Sequence, residues 1–121
     1  MRWASAVDTD NSLRAAVEHA AETVFLGLGR QEPDLAIVFV SAEHAAHFDA
    51  VPALLQREFE NVFIFGCCGG GVIGGGREIE DRPAFSLTGA ILPGVRLKGT
   101  HLDAAQVPPV YAEARVWEDV L

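Results

Sequence analysis

Residues 35–66 read LAIVFVSAEHAAHFDAVPALLQREFENVFIFG. Two apolar runs, LAIVFV (35–40) and VFIFG (62–66), bracket a more polar segment. A run that is apolar at every position, rather than at every second one, fits a strand covered on both faces, as at the centre of a parallel sheet. Parallel neighbours need a long crossover, and the intervening segment can supply it as a helix. The helical pattern is expected to break near Asp49 and Pro52, with Asp49 capping a second part and Pro52 tolerated in its first turn. Val51, Leu54, Leu55 and Phe59 then share one buried face.

Working outward, RWASAV (2–7) reads as a first strand and DTDN (8–11) offers N-cap side chains. Leu13, Val17, Ala20, Val24 and Leu28 recur every three or four residues, so a helix with one apolar face follows, ended by Gly27 and Gly29. Pro33 and Asp34 make a turn. The order strand–helix–strand–helix–strand predicts an α/β fold with a parallel core and right-handed crossovers. Downstream, AFSLTGAI (84–91) and VRLKGTHL (95–102) both alternate about the turn LPG (92–94). They predict an antiparallel hairpin, hence a mixed sheet. The tail from Asp103 carries Pro108–Pro109 and an amphipathic VYAEARVWEDVL (110–121), and no internal repeat is seen.

The chain has 121 residues, half of them hydrophobic, enough for a core in one domain spanning residues 1–121. Seventeen acidic against nine basic residues give a net charge of −8. That charge favours solubility and argues against nucleic acid or an anionic membrane as partner. The start, MRWASAVDTD, is no signal peptide, and no apolar run approaches the roughly 20 residues of a spanning helix, so a cytoplasmic location is expected.

The chemistry centres on GCCGGGVIGGGREIED (66–81), which reads as a glycine loop leaving the carboxyl end of a central strand and passing into REIED (77–81), a short strand or strand edge. Gly69, Gly71 and Gly74 formally fit G-x-G-x-x-G, but any glycine-dense segment does. A dinucleotide site needs a helix to start there, and a P-loop needs Gly-Lys-Ser/Thr; neither is present. Backbone N–H groups of such a loop can still form an anion nest, or the loop can be a tight crossing of backbone on backbone. Cys67 and Cys68 lack the further ligands a zinc site needs, so no metal or cofactor is expected. Cys67 as a nucleophile would need His44, His47 or His101 as base, and no spacing selects one. Otherwise His44 and His47 read as solvated or capping, His101 as a half-buried strand residue, and His19 as surface. In the charged run after the loop, Arg77 suits a carboxylate and Glu78 an ammonium, as in an amino-acid zwitterion; the plainer reading is a strand edge blunted by charge.

These stretches, GCCGGGVIGGGREIED with LAIVFVSAEHAAHFDAVPALL before it and SLTGAILPGVRLKGTHL after it, resemble the amino-terminal module of FIST (F-box and intracellular signal transduction) proteins. The resemblance spans Arg2 to Leu102 and rests on Gly66, Cys67, Gly69 and Glu78; Cys68 stands where a Ser or Thr is more usual. It implies a sensory module for small ligands, amino acids among them, working with further FIST segments or a signalling domain and without a catalytic constellation. It also implies a longer chain, so this one is a partial module or a short member. The expected ligand contacts are Gly66, Cys67, Cys68, Gly69, Gly70 and Gly71, with Arg77 and Glu78 as charge contacts. The rivals are a Cys67 thiol enzyme and an assembly scaffold with no ligand.

Overall fold

A computed structural model describes residues 1–120. Strands β1 (Arg2–Asp8), β2 (Leu35–Ser41) and β3 (Phe63–Gly69) alternate with helices α1 (Leu13–Gly27) and α2 (Val51–Glu58). Then come β4 (Gly71–Gly74), β5 (Arg77–Glu80), β6 (Phe85–Ile91) and a short α3 (Ala114–Glu118). The fold is mixed α/β, and its main sheet is mixed, as expected.

The neighbours differ from the expectation. The four-stranded sheet has the order β1-β6-β2-β3. β2 and β3 are parallel in the register Leu35↔Phe63, but β6 lies between β1 and β2, antiparallel to both. The first three strands keep a common direction without forming a contiguous parallel core. The expected 84–102 hairpin is also corrected: 84–91 yields a central strand, and 95–102 forms none. Alternation marks a strand with two unlike faces but does not identify its neighbour. The hairpin instead lies inside the glycine segment, where β4 and β5 pair in the register Val72↔Ile79.

α1 follows from its sequence. Leu13, Val17, Ala20, Val24 and Leu28 are all buried. Its cap is Ser12, whose Oγ accepts from the Ala15 amide at 3.4 Å, while Asp8 and Asp10 order the approach by accepting the amides of Asp10 and Ser12. The segment before α2 is a 3-10 helix, Ala42–Ala50. Asp49 lies within it, and Ala50 caps α2 without a side-chain bond, which corrects the expected Asp49 cap. Val51, Leu55 and Phe59 are buried and Leu54 is half-buried, as the pattern predicts.

These helices cover one face of the sheet. Ala6, Ala36, Val38, Val40, Phe85 and Leu87 meet α1 and α2 in one core. Each fully buried Leu, Val or Phe there contributes about 1.5–3 kcal/mol relative to exposure. Asp34 joins three strands at one end: its amide donates to the Ala90 carbonyl, its carbonyl accepts from Phe63 and its carboxylate accepts from Leu92 at 2.6 Å. At the other end, Ser41 Oγ accepts the Ala84 amide at 2.9 Å.

The second face is covered only in part. Val72 and Ile79 of the hairpin close on Val7 and Ala84 in a small separate cluster. Beyond it Trp3, Phe39 and Phe65 stay exposed by 50, 39 and 65 %. The tail carries α3 with no buried residue, so only about one turn of the amphipathic stretch is helical; Leu121 lies outside the described residues.

Candidate functional site

REIED forms a short strand, β5, as expected, but the glycine stretch before it is strand and hairpin rather than loop. β3 continues through Cys67 and Cys68 to Gly69. Gly70 links it to β4, and Gly75 and Gly76, at φ 55° and 76°, make the hairpin turn. Two consecutive positive φ values suit a two-residue hairpin turn whose twist matches the strands. Elsewhere the missing side chains allow close approach. A Cβ at Gly66 would drive into the carbonyl and side chain of Val38. One at Gly74 would lie 2.5 Å from Ser86 Oγ and 2.9 Å from the Ala6 carbonyl oxygen. Backbone packed on backbone therefore accounts for these two glycines. Ser86 Oγ donates to the Ile73 carbonyl at 2.6 Å and fixes the hairpin there.

The eight expected contact residues do not converge. Consecutive side chains of a strand point to opposite faces. Cys67 therefore lies on the hairpin face with Phe65 and Phe39, and Cys68 on the helix face; both are free and exposed. Partial desolvation raises the Cys68 thiol pKa above its ordinary value, and neighbouring Cys67 adds to the rise. A raised pKa opposes thiolate formation. Gly66 borders an apolar cavity of about 230 Å³ beneath Val51, Pro52 and Ile64. Arg77 points inward from the hairpin and donates to the Val7 carbonyl at 3.0 Å. Glu78 is paired with Ile73 on the outer face, so Arg77 and Glu78 do not share a pocket.

The histidines disperse as well. His44, expected to be solvated or capping, is only 3 % exposed, and its Nε2 has no hydrogen-bond partner. His47 is exposed. His101, expected half-buried on a strand, is exposed and faces Asp103 at 3.5 Å, because its segment never joins the sheet. Among the described residues, no three His, Cys, Asp or Glu side chains gather as metal ligands. No described helix is long and apolar enough to cross a membrane.

One expected residue does enter a built cleft. Arg77 and Gly75 line a space of about 360 Å³ with Ser5, Asp8, His19 and Thr23. β1 supplies Ser5 and Asp8, α1 supplies His19 and Thr23, and the hairpin closes the third side. His19 Nδ1 lies 3.4 Å from Asp8 Oδ2, and the Gly75 amide donates to Ser5 Oγ at 3.4 Å. A guanidinium has five N–H donors, so the bond to Val7 leaves Arg77 able to take a carboxylate. A wider groove of about 600 Å³ lies between α1 and α2, but Glu18, Glu22, Glu32 and Glu58 line it and would repel an anion. The smaller cleft offers charge of both signs. Sequence reading missed Asp8 and His19 as a pair, since only the turn from β1 into α1 brings them together.

The family model described as the FIST N domain matches residues 34–114, more than half of the chain. No curated protein and no solved structure matches it.

Proposed function

Because the chain belongs to the FIST N domain family, a sensory-type family of signal transduction and not a known enzyme family, we propose that it senses a small polar metabolite in the cleft between β1, α1 and the β4–β5 hairpin. The observation that carries this reading is the meeting of Arg77, Asp8, His19 and the Gly75 amide around that one space. An amino-acid zwitterion fits its charges: Arg77 for the carboxylate, Asp8 for the ammonium. Asp8 takes the part first given to Glu78. The segment from Gly66 to Gly71, through Cys67, Cys68, Gly69 and Gly70, acts by seating the hairpin rather than by touching the ligand.

A ligand held by both α1 and the hairpin favours the docked hairpin over an undocked one. That population shift is the signal, read by further FIST segments or an attached signalling domain in the cytoplasm. A thermal-shift screen against the amino acids and small carboxylic acids tests the reading. Ligand at 100 times its dissociation constant stabilises by about 2.7 kcal/mol, a rise on the order of 10 °C for a chain of this size. Asp8→Asn should abolish the response to zwitterions. If no metabolite shifts the melting temperature, the sensor reading fails and the scaffold reading stands.

A further inference from the structure

The two edges of the main sheet are built differently. β1 begins with Arg2 and ends with Asp8, and the Arg77 guanidinium occupies the Val7 carbonyl. β3, at the other edge, reads FIFGCCG, without a charge or a proline. Charges and prolines are the usual means by which an edge strand avoids pairing with another chain. Phe65 on this strand is 65 % exposed, and Phe39 beside it is 39 % exposed.

The edge also has a defined hydrogen-bonding phase. The Phe63 amide donates inward to Asp34 at 2.9 Å. Backbone groups alternate sides along a strand, so Ile64, Gly66 and Cys68 turn their N–H and C=O groups outward. Folded back on itself about Gly66, the strand is self-complementary. Gly66 meets Gly66, Ile64 meets Cys68, Phe65 meets Cys67 and Phe63 meets Gly69. Every bulky residue of the first half then faces a small one of the second half. The outward-facing set 64, 66, 68 meets the same set in reverse, as an antiparallel ladder requires.

We propose that β3 is a self-pairing edge through which two copies of this chain join their sheets, antiparallel and two-fold symmetric about Gly66. Such an interface is isologous, with one patch meeting itself. One seven-residue strand pair with flanking Phe65 falls below the standard interface of about 800 Å² per partner, so the dimer is weak and concentration-dependent. Each copy carries −8, and none of that charge sits on β3, so added salt strengthens the association.

Sedimentation of the full chain over a concentration series tests this, with the expected mass doubling at high concentration. The register is tested by Phe65→Cys in a Cys68→Ser background. Oxidation should then give a covalent dimer whose disulfide joins position 65 to Cys67 of the second copy. The Phe65→Lys, Cys67→Lys double variant should stay monomeric while its circular dichroism and melting temperature match the parent. Both side chains are exposed, so folding is spared. A monomer at every concentration overturns the proposal, as does a dimer unmoved by the lysines. A strand from some other protein adding to this edge, with no self-association, overturns it equally.

Discussion

The two faces of the main sheet are held by different physics. On the helix face, side chains fill the space: Leu28, Leu55, Phe59, Phe85 and Leu87 are almost wholly buried in one core. On the hairpin face, four residues make the cluster, and backbone approaches sheet where glycine omits a side chain. The first arrangement resists opening because many contacts are lost together. The second is a small unit with few apolar contacts, which is where local opening concentrates. A sensor needs one face of each kind, a stable platform and a part that can move.

The sharpest way to break this comparison is to remove volume on the helix face. Leu55→Ala should cost about 2–5 kcal/mol and lower the melting of the whole domain, read by thermal denaturation. If only α2 loosened, the helix face would not be one cooperative unit. Next in size, Gly74→Ala forces a Cβ against Ser86 and Ala6, at a cost of about 1–3 kcal/mol. Hydrogen exchange should accelerate across β4 and β5 and leave the interior strands β2 and β6 protected. Global unfolding by this variant would show that the hairpin belongs to the main core.

Smaller effects sharpen the same contrast. Gly76→Ala places a Cβ at φ 76° with open space around it, so only backbone strain counts, about 1 kcal/mol. Gly75→Asn should be nearly neutral, because asparagine tolerates that region. Cys67 and Cys68 report one face each. With its pKa raised, Cys68 should alkylate more slowly than Cys67 near neutral pH, read by peptide mass spectrometry. Equal rates would mean that the end of β3 is not a fixed strand. The smallest effect concerns Glu43, whose pKa is lowered by a hydrogen bond from the Ser41 side chain and by its own backbone. A depressed folded-state pKa stabilises above the unfolded value and is lost as pH falls through the folded one. Glu43→Gln should therefore slightly lower stability near neutral pH, leave it unchanged at low pH and so flatten the acid limb, read by melting temperature across a pH series.

The helix face was the legible one. A stripe at Leu13, Val17, Ala20, Val24 and Leu28 names its own buried side, since helical periodicity is local. The hairpin face was not. Glycine has low strand propensity, so Gly71–Gly74 read as loop, although Gly75–Gly76 between VIG and REIE are a hairpin turn signal in their own right. The place of β6 was hidden for another reason: strand pairing is a long-range choice, and alternation along AFSLTGAI carries no partner's address. The cleft combines both difficulties. Arg77 was visible as a charge, but its neighbours Asp8 and His19 come from β1 and α1, and Glu78 was separated from it by the two-residue period of the strand.

The position of β6 between β1 and β2 also sets a timetable. β2, α2 and β3 are contiguous in the chain and can pair as soon as they emerge from the ribosome. β1 touches the sheet only through β6. From Asp8 to Ile91, synthesis at about 5–20 residues per second takes roughly 4–17 seconds. Throughout that interval the first strand and its helix have no sheet to join. Val17, Val24 and Leu28, buried in the finished fold, then have α2 to pack against but not β6, so the first strand and its helix complete their docking last.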